Sequence, residues 1–421
     1  MANLKVDTIS GIGTEGPVLN GGLHFRSKNY LTLPKGTTTE RIATRSGIST
    51  EIGSIRYNTD SNKMECYVND KWMIVSTSSP NLDGGARALF AGGLGTPGSI
   101  QDRIDFITIS TQGDATDFGN LTGSRFGGAG GSSRTRGVFM GGGTPTRLDN
   151  IDFVTIASTG DAADFGNLTV QGSQAGGMSN QTRALYAGRS SSPLLNTIDF
   201  VTIVNTANAL DFGDLSAVRE HNCGTSSPTR GLIAGGITPS NTNQIEFITI
   251  ASTGDAQDFG DLNRAGSTLG GGSGSTVRGI FAGGYTTDIE YVTYTTLGNA
   301  IDFGDMIDDR GDIASNSDNI RSVFTGGLNP SRVNTIDYIT IVTLGDAVDF
   351  GDLTFAKAQS QAVSSPTRFV TMSGRNSSDN LIDEMDFVEI MSEGNAVEFG
   401  EIVGSDRLRG AGASNGHGGL G

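Results

Sequence analysis

Imidazole and thiol groups are scarce in this chain: three histidines (His24, His221, His417) and two cysteines (Cys66, Cys223). They form no His-x-x-x-His or Cys-x-x-Cys pair, so no zinc site is expected. His221 lies two residues from Cys223, but neighbours in sequence do not make a nucleophile with its base, and no Ser-His-Asp set stands out. The tripeptide Asp-Phe-Gly, a metal-binding phrase in phosphoryl transfer, recurs here without a catalytic-loop motif or partner lysine. The Gly270–Thr276 run lacks the Gly-Lys-Ser/Thr of a phosphate loop. The Asp-rich phrase Gly254-Asp-Ala-Gln-Asp-Phe-Gly-Asp-Leu262 offers hard oxygens suited to Ca²⁺. Yet Asn120, Asn208 and Asn299 replace Asp in other copies, and no terminal Glu follows. Turn chemistry is the expectation there, with no metal and no cofactor. Acidic groups are numerous enough for paired-carboxylate glycoside hydrolysis, but none is singled out by leaving the repeat. The reading is a protein without catalytic residues.

The elements that carry these residues repeat. Asp-Phe-Gly or Glu-Phe-Gly places Phe at 118, 165, 212, 259, 303, 350 and 399, at spacings of 47, 47, 47, 44, 47 and 49. A second phrase, Arg-x-x-x-x-Gly-Gly or a near variant, begins at Arg87, Arg136, Arg183, Arg230, Arg278, Arg321 and Arg368. A third, of the type Ile-Asp-Phe-Val-Thr-Ile, begins at Ile104, Ile151, Ile198, Ile245, Ile289, Ile336 and Met385. Three phrases in fixed order, seven times, at ~45 residues, predict a seven-bladed β-propeller. Each unit holds short β-branched or aromatic runs stopped by Gly, and nothing shows sustained helical periodicity. The tail Arg409–Gly419 resembles Arg125–Ser133, which opens the second unit. A C-terminal strand is therefore expected to close the first blade and remove two free edges. The seven Arg and the acids Asp105, Asp152, Asp199, Glu246, Glu290, Asp337 and Asp386 are expected to be structural and could form ion pairs.

The chain has 421 residues, 63 of them Gly, and a formal charge of -16. Acidity of that size disfavours nucleic acid as a partner. No apolar run is long enough for membrane insertion, and no signal-peptide core follows the N-terminus. Composition divides the chain near residue 80. Five of six Lys (Lys5, Lys28, Lys35, Lys63, Lys71) and the single Trp72 precede that point. Two domains are expected, 1–80 and 81–421, joined at Ser76–Gly85. The first reads as an all-β module: strands at Ile55-Arg-Tyr and Met64–Val68, turns at Thr59–Asn62 and Asn69–Lys71, and a third strand from Trp72. Residues 1–30 look too poor in apolar side chains to fold alone.

The phrases Thr229-Arg-Gly-Leu-Ile-Ala-Gly-Gly236, Ile245-Glu-Phe-Ile-Thr-Ile250 and Gly254–Leu262 resemble those of kelch-like repeat proteins of marine tailed phages, especially cyanophages. The usual kelch Trp is missing from the blades. Gly53-Ser-Ile-Arg-Tyr-Asn-Thr-Asp-Ser-Asn62, with the Tyr67 strand and Trp72, resembles a module of phage tail fibres. The resemblance implies a virion protein of the particle surface or tail. Its residues 1–80 would attach to other virion proteins or form a homotrimer. Its propeller would bind a host glycan or outer-membrane protein. The alternatives are a purely structural capsid or tail decoration, and a propeller hydrolase of surface polysaccharide. Specific binding needs positions that differ between blades, and the loops after Gly-Gly differ most: ten residues at Leu94–Arg103, eight at Gly143–Asn150, four at Tyr285–Asp288, nine at Asn376–Glu384. Tyr285, Arg103, Arg147, Asn241 and Arg332 are the candidate receptor-binding residues.

Overall fold

A computed structural model describes residues 33–41, 53–60, 63–68, 71–74, 86–95, 98–265, 269–404 and 407–416. The expected junction at Ser76–Gly85 and residues 1–30 lie outside them. By its contacts the chain divides into two units, Met1–Ser79 and Pro80–Gly421. Among the described residues there is no α-helix, and no helix long and apolar enough to cross a membrane.

The first unit is a four-stranded sheet. Ile55–Asn58, Lys63–Val68 and Lys71–Ile74 form an antiparallel meander, and Lys35–Gly36 adds a short parallel edge beside Tyr57–Asn58. A 3₁₀ turn at Thr38–Glu40 leads to Arg41. The two faces of this sheet invert the usual order. Arg56, Asn58 and Glu65 are buried on one face, where Arg41 and Asn58 bond the Glu65 carboxylate. On the other face the cross-strand row Ile55–Cys66–Met73 leaves Ile55 47% and Met73 53% exposed.

The second unit is a propeller of seven antiparallel sheets. The second blade is typical: Ala129–Ser132, Arg136–Met140, Asn150–Thr155 and Ala163–Asn167, paired in chain order. Innermost strands are built from small residues. Third strands such as Ile151-Asp-Phe-Val-Thr155 are buried on both faces, because neighbouring blades cover each side. The core is accordingly distributed into seven apolar clusters, each shared by consecutive blades. Phe118 of the first blade, for example, packs with Phe139, Val154 and Ile156 of the second.

The ring closes through the C-terminus, as its repeat-like tail predicts. Ala411–Ser414 pairs antiparallel with the Arg87–Gly95 strand, setting Ala411 opposite Ala91 and Ser414 opposite Ala88. Arg407–Leu408 extends the same edge opposite Gly95 and Leu94. The seventh and first blades then share an apolar cluster in which Met372, Phe387 and Phe399 meet Phe90 and Ile107.

The segments after Gly-Gly are more ordered than loops. In the first blade the strands run on to Gly95 and restart at Ile100, so Arg103 is a strand residue. Gly143–Thr144 with Thr146–Arg147, Ile237–Thr238 with Ser240–Asn241, and Leu328–Asn329 with Ser331–Arg332 form small hairpins. Bulges at the Gly-Gly step let pairing resume beyond it.

Candidate binding face of the propeller

The residues common to every blade are committed to the scaffold. Each repeated Arg lays its guanidinium over the ring of the neighbouring strand's phrase: Arg87 over Phe106 at 4.7 Å, Arg230 over Phe247 at 4.6 Å, Arg321 over Tyr338 at 4.1 Å. Its Nη1 then donates to a carbonyl of the next blade, from Arg87 to Ile156 O (2.9 Å) through to Arg368 to Ile109 O (3.2 Å), which completes the circle. The same rings meet the Asp-Phe-Gly phenylalanines edge to face, as in Phe106–Phe118 at 5.7 Å and 85°.

The repeated acids therefore do not pair with the repeated Arg. Their partners are a second basic series that the three phrases do not contain. Arg125 meets Asp152 at 2.7 Å, Arg310 meets Asp337 at 2.9 Å, Lys357 meets Asp386 at 2.9 Å and Arg407 meets Asp105 at 2.5 Å. Arg219 pairs likewise with Glu246. Burial pushes the Asp105 and Asp337 carboxyls up against the pull of these partners, and pushes the Lys357 amine down. Each acid also reaches back to the preceding blade: Asp152 accepts from the Thr122 N–H (3.0 Å) and hydroxyl (2.7 Å). The signal was present in the sequence, since Arg125, Arg219, Arg310 and Lys357 each stand seven positions after the Phe. The third blade hides it. There Gly172 holds that position, and Arg189 replaces the second Gly of Gly-Gly to reach Asp199 at 2.9 Å. The two sites are one volume, because a Cβ on Gly172 would lie 2.5 Å from Arg189 Cδ.

The Asp-rich phrases are turn and cap chemistry. Asp117 Oδ1 accepts the Gly119 N–H at 3.0 Å, and Asp161 Oδ1 accepts the Asn120 N–H of the preceding blade at 2.9 Å. Asn208 and Asn299 make the same cap with an amide oxygen, which explains why Asn serves there. Gly119 itself is required: its φ is +142°, and a Cβ would lie 2.4 Å from Gly160 O. Cys223 is buried in an innermost strand, with its thiol pushed up to about 12 by that burial, whereas His221 is exposed. Such a thiol is protonated at neutral pH and is no nucleophile.

What remains are the departures. Three of the candidate arginines bridge blades. Arg103 Nη1 donates to Val403 O (2.6 Å), Arg147 Nη2 to Ser190 Oγ (2.7 Å) and Arg332 Nη2 to Asp379 Oδ1 (2.5 Å). Asn241 is exposed on its hairpin, opposite Ile237. Tyr285 is different. It is 50% exposed and adopts φ +64°, a left-handed backbone that a bulky side chain rarely takes. In other blades the residue after Gly-Gly bridges to its own blade's entry segment, as Gly143 does to Phe126. Tyr285 leans instead toward the sixth blade, and its ring occupies the space above Gly311, where a Cβ would come within 2.5 Å. Its hydroxyl lies 3.5 Å from Asp312 Oδ2, which also accepts from Gln359 Nε2 at 3.2 Å. Burial and Asp312 push the phenol up.

The fifth blade is irregular throughout this region. Its basic residue, Arg264, follows Phe259 by five positions and pairs with the half-exposed Asp288 at 3.0 Å, not with the buried acid Glu290. Burial pushes the Glu290 carboxyl up, and the Asn263 N–H is its bonded partner at 3.1 Å. A small cavity of about 10 Å³ lies beside Arg264, Asp288 and Glu290, room for about one water. The expected four-residue loop is a strand from Thr286 onward, so Tyr285 alone turns the chain; its hydroxyl, Asp312 and Gln359 form one polar set, and Arg264, donating to the Gly283 and Gly284 carbonyls just before it, pairs with Asp288.

Neither a family model nor a curated protein matches the sequence. Among solved structures, one titled "Structure of YjhT" superposes with a TM-score of 0.52 at 8% identity, covering 66% of this chain and 98% of that one. At that identity the likeness is one of fold.

Proposed function

We propose that this chain is a phage virion protein whose propeller binds a host-surface saccharide without cleaving it, at the face carrying Tyr285. The virion setting rests on the resemblance of the repeat phrases and of residues 53–72 to phage proteins. The observation that carries the binding reading is Tyr285, an aromatic side chain held half-exposed in a strained backbone on the short loop of the most irregular blade. Strain of about 1–3 kcal/mol persists where function needs the side chain. A tyrosine face can stack on a sugar ring, while Arg264, Asp288 and Asp312 supply hydrogen-bonding groups around it. Retention of the full chain on arrayed bacterial polysaccharides tests this. Tyr285→Gly places Gly where Gly is favoured and should abolish retention without lowering the melting temperature. Equal retention would pass the case to a decoration role, and release of soluble saccharide would pass it to hydrolysis.

The N-terminal module is proposed to attach and to form a trimer. The support is its inverted sheet, with charged groups inside and Ile55, Val68 and Met73 exposed outside. An apolar row of that kind is stabilised by burial against copies of itself or against a virion partner.

A further inference from the structure

In six of the seven blades the residue two positions before the innermost strand has a left-handed backbone. These residues are Gly127, Gln174, His221, Asp312, Gln359 and Arg409, with φ of +66°, +56°, +56°, +53°, +59° and +57°. The fifth blade's equivalent lies outside the described residues. They are neighbours around a circle. The Gly127 N–H donates to Arg409 O (2.8 Å), Gln174 N–H to Gly127 O (2.8 Å), His221 N–H to Gln174 O (3.1 Å) and Gln359 N–H to Asp312 O (3.0 Å). The innermost strands that follow them touch in a closed cycle around the axis. So the circle rims one mouth of the central channel.

A left-handed position is one where Gly is free of strain and other residues are not. The repeated position near the end of each blade obeys that rule, Gly119, Gly166, Gly213, Gly260, Gly304, Gly351 and Gly400 all taking the same positive φ, while buried Ser373 at the Gly-Gly step of the seventh blade, with φ +51°, does not. The channel rim breaks it. Five of its six described positions carry long or charged polar side chains, and the identity changes from blade to blade while the backbone does not. One backbone conformation thus presents a varied set of polar side chains around one circle, at a cost in strain of the kind that collects at functional sites.

The geometry points to a second binding site, a rim of polar side chains at the channel mouth that receives the acidic residue of a saccharide. This rests on the saccharide reading above and names the sugar class. The reason for an acidic sugar is the balance of donors and acceptors. The Asp312 carboxylate is engaged by Gln359 and faces Tyr285. His221 and Arg409 are exposed, and with half-buried Gln174 they offer donors. A guanidinium grips a carboxylate through two parallel bonds, and amide and imidazole groups suit hydroxyls. The chain's formal charge of -16 gives no general attraction for anions, so anion selectivity must come from this local set. The innermost strands pack backbone to backbone, a Cβ on Gly130 falling 1.8 Å from Gly412 O. The ligand therefore sits on the rim, within reach of Tyr285 through Asp312.

Calorimetry of the full chain with a glucuronate-terminated oligosaccharide and its glucose-terminated counterpart tests the site. The acidic probe should bind at least about tenfold tighter, and Arg409→Gly should erase that preference, the loss of one charge-assisted bond. The triple variant Gln174→Gly, His221→Gly, Arg409→Gly should bind neither probe. Because Gly suits each backbone, these variants should melt at or above the wild-type temperature, which separates lost binding from lost fold. Rim variants that bind as wild type, while Tyr285→Gly does not, overturn the rim and leave the Tyr285 face standing. Equal affinity for both probes overturns the acidic assignment. Wild-type protein that binds neither probe overturns the site, and retention on polysaccharide arrays then judges the Tyr285 face separately.

Discussion

Arg189 and Gly172 exchange roles in the third blade, and that exchange can be reversed. Arg189 and Asp199 are both fully buried and meet at 2.9 Å. Arg189→Gly leaves Asp199 with Thr169 alone, through its hydroxyl at 2.5 Å and its N–H at 3.1 Å. Removing one partner of a buried pair costs about 3–5 kcal/mol. Unfolding entropy of about 2.1 cal/mol/K per residue over roughly 340 residues gives about 0.7 kcal/mol/K, so the expected fall in melting temperature is about 4–7 °C. Gly172→Arg alone should also destabilise, because its Cβ would lie 2.5 Å from Arg189 Cδ. The double variant places Arg seven positions after Phe165, where the second and fourth blades have Arg125 and Arg219. It should recover more than half of the loss. Calorimetric melting of all four proteins gives the coupling directly. A double variant that melts as low as Arg189→Gly would refute the claim that the two positions serve one carboxylate.

Four further outcomes are expected. Arg230→Met removes the bond to Tyr294 O at 2.5 Å and the contact with Phe247 at 4.6 Å; a loss of about 2 kcal/mol should appear in thermal melting. Deleting residues 405–421 strips the first blade of Ala411–Ser414 and should bring aggregation or a large fall in melting temperature, read by light scattering during a thermal ramp. The proposed trimerisation through residues 1–80 should show in light scattering as a trimer for the full chain and a monomer once they are deleted, and a trimeric propeller would count against the module. Burial raises the Glu290 carboxyl above 4.5, so its contribution to stability is full below pH 4.5 and is lost as pH rises through the folded value. Glu290→Gln should therefore gain stability relative to wild type between pH 4 and pH 7, and a flat difference would contradict the assignment.

The blade count, strand order and C-terminal closure were legible because each is written several times over: three phrases recur, and the tail repeats the opening of the second unit. The second basic series was legible in principle, yet it forms no phrase. Gly172, Arg264 and Lys357 break its spacing or type, and the Arg189 exchange shows why spacing alone fails: two distant positions fill one space. The channel rim left little trace, since among its described positions only Gly127 is a Gly, and Gln174, Gln359 and Arg409 are types that do not mark a left-handed backbone. Sequence could mark Arg103, Arg147 and Arg332 as variable, but their acceptors Val403, Ser190 and Asp379 belong to other blades, which adjacency along the chain does not reveal. The alternation of the N-terminal strands was readable too, but the Lys35–Arg41 segment decides which face is buried.

Repeated residues hold the ring, and varied residues are the ones proposed to bind. Saccharide retention and melting temperature, measured together on Arg230→Met and Tyr285→Gly in the full chain, test that division most directly. Arg230→Met should melt lower and, well below its transition, be retained like wild type. Tyr285→Gly should melt no lower and be lost from the array. Retention lost with Arg230 and kept without Tyr285 would contradict the account.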